Sequence, residues 1–248
     1  MNSLDSFISQ YKDVISGIGM SAPGRIDNKR GYFYTGGALS HYLSEVPLGD
    51  MLSQKYSLPV AIDNDAKCAA NAELWLGALK DVNSGVVVIL GTGIGGAIVF
   101  NGKIWRGLNY NAGEVGRMLL PKEKFEELAS VTALIKNARD LGLDVNNGKE
   151  IFELYDQDNF LAKQAIASFY HYLAVGIANL IYTFNPEAFV IGGGITNRDG
   201  FLEELNKTIN RYLVDGFKNT AILKRAHYKN DGGMMGAYYN FVYRNEDK

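Results

Sequence analysis

The feature that most constrains this chain is the run Val-Val-Val-Ile-Leu at residues 86–90, followed at once by Gly91-Thr-Gly-Ile-Gly-Gly96. An unbroken β-branched apolar run is the pattern of a strand buried on both faces, which calls for a sheet covered on both sides. The glycines match the dinucleotide fingerprint G-x-G-x-x-G letter for letter, but that fingerprint requires a helix next. Instead, residues 97–100 resume as a strand, Asn101-Gly102 is a strong hairpin signal, and residues 103–105 return as a third strand. This argues against a nicotinamide dinucleotide site. Two readings remain: a tight hairpin without a ligand, or a turn whose successive N–H groups and Thr92 hydroxyl face phosphate oxygens.

Other elements follow from periodicity. Leu4, Phe7, Ile8 and Tyr11 predict a helix over 3–14, and residues 15–21 read as a short buried strand ending in Ala22-Pro23-Gly24. A helix over 48–56 precedes a strand at 58–62, with Asp63-Asn64-Asp65 directly after it and a helix over 66–75. Residues 160–184 keep Ala162, Ile166, Phe169, Leu173, Ile177 and Ile181 on one stripe and stop at Asn185-Pro186, as a central core helix should. A strand at 189–191 runs into Gly192-Gly193-Gly194, and an aromatic-rich helix over 233–244 closes the chain.

With 47% hydrophobic residues, the 248-residue chain can bury one large core or two modest ones, which excludes disordered and fibrous classes. Its 25 basic and 27 acidic residues, net charge −2, are spread evenly, so no nucleic-acid partner is expected. The single cysteine, Cys68, precludes an internal disulfide framework. No leader-like segment or membrane span is read, and a cytoplasmic location is expected.

Several polar groups are candidates for chemistry. Asp63-Asn64-Asp65 between a strand and a helix serves either as a helix cap or as a site in which Asp65 accepts a proton from a substrate hydroxyl beside Asn64. Glu114, between glycines, either pairs with Arg117 at i,i+3 or enters a cleft. Gly192-Gly193-Gly194 lets an adenine or ribose lie against bare backbone, or is only a strand-to-helix turn. Asn230-Asp231-Gly232-Gly233 reads as a helix N-cap, with direct ligand contact as the alternative.

Taken in order, Ser21-Ala-Pro-Gly24, Asn64-Asp65-Ala-Lys-Cys68, Leu90-Gly-Thr-Gly-Ile-Gly-Gly96, Ala112-Gly-Glu-Val-Gly116, Ile191-Gly-Gly-Gly194 and Asn230-Asp-Gly-Gly-Met-Met-Gly236 resemble the ROK family of sugar kinases and sugar-responsive repressors. The resemblance covers essentially the whole chain. It implies an α/β, actin-like ATPase (ribonuclease H-like) fold, with two domains around a nucleotide and sugar cleft. Residues 1–80, completed by the helix 233–248, would form the small sugar-binding domain, and residues 81–232 the large ATP-binding domain. The implied activity is ATP- and magnesium-dependent phosphorylation of a hexose or hexose derivative, with glucokinase and β-glucoside kinase as the models. By the same resemblance Asp65 is the catalytic base, and Gly24, Asn64, Glu114, Arg117 and Glu126 bind the sugar. Gly91, Thr92 and Gly93 then form a phosphate loop, and Gly193 and Gly194 part of the adenosine site. A homodimer is a further implication.

Three departures from the family pattern shape these expectations. The family's loop of one histidine and three cysteines has no counterpart between Gly116 and Glu126, so no structural zinc is expected. Arg117 stands where the family has a histidine, which alters one sugar contact. Family kinases begin with an Asp-x-Gly-Gly-Thr hairpin and a further strand that nothing here matches. The small domain is therefore expected to be incomplete at the N-terminus. The alternative to a working kinase is an impaired, regulatory or N-terminally truncated member.

Overall fold

A computed structural model describes residues 2–243 and divides into two compact units, residues 1–72 with 231–248 and residues 73–230. The first unit opens with α1 (Asn2–Tyr11), β1 (Ile18–Ala22), β2 (Arg25–Asp27) and β3 (Tyr32–Thr35), then α2 (Leu48–Tyr56) and β4 (Val60–Asn64). β1 pairs with β4 in parallel, and β2 with β3 antiparallel. Ile18, Ile26, Phe33, Leu52 and Ile62 form the core between these elements. The helix α3 (Asp65–Leu76) starts in this unit and runs into the next.

The second unit is built on a five-stranded mixed sheet. Its strands are β5 (Gly85–Leu90), β6 (Ile94–Phe100), β7 (Lys103–Trp105), and, after four helices, β8 (Ala188–Gly192) and finally β9 (Ile222–Arg225). The helices between are α4 (Phe125–Ala129), α5 (Val131–Asp140), α6 (Gly148–Asp156) and α7 (Phe160–Phe184), with α8 (Phe201–Ile209) before β9. The order across the sheet is β7-β6-β5-β8-β9, with β5, β8 and β9 parallel and β6 antiparallel to both its neighbours. Val86, Val88 and Leu90 enter the main core from one face of β5, while Val87 is fully buried on the other. This is the two-sided burial that the apolar run predicts.

α7 packs against α4, α5, α6 and α8, and its Phe169, Leu173 and Ile177 lie in the same core as β5. By length and composition it is apolar enough to cross a membrane, but most of it is buried inside the unit. Asn159 caps its start, and the left-handed Asn185 ends it just before Pro186.

The chain then returns to the first unit as α9 (Gly232–Tyr243), which packs on β1 and β4; residues 244–248 of the expected helix lie outside the described residues. The contact is close because Gly236 has no side chain. A Cβ at that position would overlap the carbonyl of Cys68 in α3. Gly236→Ala is therefore expected to destabilise the first unit by about 3 kcal/mol through overpacking, read as a lowered denaturant midpoint.

Candidate functional site

Parallel pairing of β1 with β4 sets Ala22 opposite Asn64, so the segments leaving both strands emerge at one edge. Asp63 and Asn64 belong to the strand itself, rather than following it, and Asp65 is the first residue of α3. Asn64 does two things there. Its Oδ1 accepts from the N–H of Lys67 at 3.2 Å, capping the helix, and its Nδ2 donates to the Gly24 carbonyl at 3.1 Å. Gly24 has φ +111, a conformation that a side chain would strain. Behind it the buried Asp63 accepts from the Asn64 N–H at 2.8 Å and from Asn240 Nδ2 at 3.2 Å.

Asp65 accepts from the Ala66 N–H at 2.8 Å, yet it is open to solvent. The protein crowded around the carboxylate raises its pKa above the ordinary value. Hydrogen bonds from the neighbouring N–H groups and the charge of the buried Lys67 oppose that rise without cancelling it. A carboxylate that is accessible and more basic than usual suits a proton acceptor.

In the second unit the glycine run is shorter as a turn than its sequence suggests. β6 already begins at Ile94, so only residues 91–93 connect the strands. The Gly91 N–H is bound by the Gly93 carbonyl at 3.0 Å, and the Gly91 carbonyl accepts from Val131, the first residue of α5, at 3.0 Å. The N–H groups of Thr92 and Gly93 make no hydrogen bond among the described residues. Two open donors beside a helix N-terminus form a surface suited to an anion.

This turn borders a cavity of about 690 Å³ inside the second unit. Gly91 and Thr92 form one wall, Val131 and Ile135 of α5 and Phe152 of α6 another, and Gly194 with Ile195 a third. Nothing lies within 4 Å of where a Cβ would stand on Gly91 or Gly194. Gly193, by contrast, is structural: it has φ +104, and a Cβ there would overlap the Leu90 carbonyl. Arg198 closes the far end, held by both oxygens of Glu204 at 3.0 Å and by Asp156 at 2.8 Å, and lies 4.8 Å over the Phe152 ring. Its volume and largely apolar walls are those of a small-molecule site.

The wall residues of α5 and α6 had no distinguishing sequence signal, because their apolar spacing looks like ordinary core. Glu114 is exposed at the start of a short 3₁₀ turn, Val115–Arg117. Arg117 does not pair with it as the i,i+3 spacing suggests. Its partner is Glu126, at 2.8 Å.

The sequence matches the ROK family over residues 1–242. The chain belongs to the ROK family. It is 36% identical over 247 residues to a β-glucoside kinase of Listeria monocytogenes, covering 95% of this chain and 82% of that kinase. It is 32% identical over 264 residues to a glucokinase of Halalkalibacterium halodurans, covering 95% and 79% of the two chains. Its structure superposes on a ROK family glucokinase from Streptomyces griseus, solved with glucose and AMPPNP, at a TM-score of 0.84 and 25% identity, over 97% of this chain and 86% of that one. The actin-like ATPase fold of the ROK kinases is thus the fold of this chain.

The contrast among the glycines makes a direct test. Gly91→Ala and Gly194→Ala are expected to keep the wild-type melting temperature and to weaken binding of a non-hydrolysable ATP analogue at least about tenfold, by calorimetric titration, because each new methyl enters the cavity. Gly193→Ala is expected to lower the melting temperature instead.

Proposed function

We propose that this ROK family chain is a sugar kinase that transfers the terminal phosphoryl group of ATP to a hydroxyl of a hexose or hexose derivative. The observation that carries the reading is the glycine-walled cavity with two unpaired turn N–H groups, in a chain whose relatives are named as kinases. Magnesium would accompany the nucleotide, shielding its phosphate charge and helping to align the reacting oxygens.

In this reading the second unit holds the donor. The N–H groups of Thr92 and Gly93 and the Thr92 hydroxyl contact phosphate, while Gly194 lets the nucleoside approach and Ile135, Phe152 and Ile195 shield it from water. The first unit carries Asp65, which accepts the proton of the attacking hydroxyl. Asn64 holds neighbouring hydroxyls: each polar atom of its amide keeps further hydrogen-bonding capacity beyond the cap and the Gly24 contact. Gly24, Glu114, Arg117 and Glu126 complete the sugar contacts. Phosphoryl transfer asks chiefly for positioning and charge stabilisation, the roles that this reading gives to these residues. ATP as donor favours a cytoplasmic location.

Asp65→Asn is expected to lower kcat by roughly 10²- to 10⁴-fold while a sugar still raises the melting temperature. Unchanged turnover in an ADP-release assay with magnesium-ATP and a panel of hexoses, N-acetylhexosamines and β-glucosides would remove Asp65 from the mechanism. Because the folded-state pKa of Asp65 is raised, its contribution to stability is complete below the unfolded pKa and is lost as pH rises through the folded value. The same variant should therefore melt no lower than wild type at pH 7, with any advantage shrinking at acid pH. The acid limb of wild-type kcat/KM should lie above the ordinary carboxylate value of about 3.9.

A further inference from the structure

The ion pair of Arg117 with Glu126 lies beside the turn assigned to phosphate. Arg117 Nη1 is 2.8 Å from Glu126 Oε1. The other oxygen, Oε2, faces the turn: a Cβ added at Gly93 would stand 2.6 Å from it. One carboxylate therefore lies between an exposed guanidinium and the side of Gly93 on which a Cβ would stand.

Neither partner is placed by chance. Phe125, immediately before Glu126, is fully buried, and its ring fills the space beside Gly176 of α7. The N–H of Phe125 also donates to the Met118 carbonyl at 2.8 Å, and Leu119 bridges to Lys124, closing a short loop between the two charged residues. On the other side Gly116 packs directly on the Ile94 backbone, which seats the turn carrying Arg117 on β6.

An uncompensated carboxylate at this point would repel the anion that the turn is built to bind. We propose that Arg117 is a positioning and charge-compensating residue. Its guanidinium neutralises Glu126 where that carboxylate abuts Gly93, so that one loop serves both sugar hydroxyls and nucleotide phosphate. The proposal rests on the donor-site reading above. It differs from a purely steric role because removing the two partners changes nucleotide affinity with opposite signs.

The test is calorimetric titration of the full chain with a magnesium-bound, non-hydrolysable ATP analogue, together with melting temperatures for every variant. Arg117→Ala should weaken binding roughly fivefold to tenfold at low salt, the size expected for unit charges a few ångströms apart when the guanidinium lies largely in water. Glu126→Gln alone should bind more tightly than wild type, because the guanidinium is then left uncompensated beside the anion. Arg117→Lys and the double variant Arg117→Ala/Glu126→Gln should recover most of the loss. The differences should nearly vanish at 1 M salt, where the screening length is about 3 Å. If wild type binds and Arg117→Ala binds equally well, or if the double variant is as weak as Arg117→Ala, compensation is wrong while the donor site stands. If wild type binds no nucleotide, the donor-site reading falls and takes this inference with it.

Discussion

The parallel pairing of β5 with β8 is the constraint on which the nucleotide-sized cavity depends. Its register sets Ile89 opposite Gly192, so the chain leaves both strands at the same edge of the sheet, and residues 91–93 and 193–194 emerge side by side. In open α/β sheets ligands gather outside the carboxyl ends of the strands, where departing segments leave a crevice that helices then wall. Here α5 and α6 supply that wall, with the Val131 N–H tied to the Gly91 carbonyl at 3.0 Å. The first unit uses the same device on a smaller scale. β1 and β4 run in parallel with Ala22 opposite Asn64, which brings Gly24 within reach of the Asn64 amide and leaves Asp65 at the start of a helix.

Each site residue is held by ordinary structural bonds, and these limit what it can do. Asn64 is at once helix cap and partner of the Gly24 carbonyl, so its orientation is fixed from two sides. Asp65 is less constrained and more basic, because the protein crowded around its carboxylate disfavours the charge more than its hydrogen bonds favour it. Arg198 is the opposite case. Burial works against its charge, but hydrogen bonds to Asp156 and Glu204 raise its pKa, so a permanent cation closes the end of the cavity. The alternatives of cap or catalyst, posed for Asp63-Asn64-Asp65, divide between residues: Asn64 caps and Asp65 is left available.

The strongest periodic signals in the sequence match the elements. Helices at 48–56 and 160–184 coincide with α2 and α7, and the run at 86–90 is β5 but for one residue. Local rules fail where hydrogen bonding to another strand decides. Ile94-Gly95-Gly96 looks like loop, but it is strand because β5 pairs with it as far as Ile94 opposite Leu90. Asp63 and Asn64 look like a post-strand turn, but they pair with Ser21 and Ala22. Arg117 could not be matched to Glu126 from spacing, since the intervening residues fold back through the Leu119–Lys124 bridge.

By itself the sequence determined the most strongly periodic elements, the glycine turns and the motif set that marks the ROK family, because periodicity and backbone freedom are local properties; β2, β3, β9 and the helices α4, α5, α6 and α8 carried no comparable signal. Only the tertiary structure decided which glycines are open to a ligand and which are filled by neighbouring backbone. Gly194 faces empty space while Gly193, its neighbour, presses on Leu90, a difference set by strand register and not by residue type. The cavity walls from α5 and α6 and the Arg117–Glu126–Gly93 arrangement belong to the same class: contacts between residues distant in the chain, made when segments converge on one edge of a sheet.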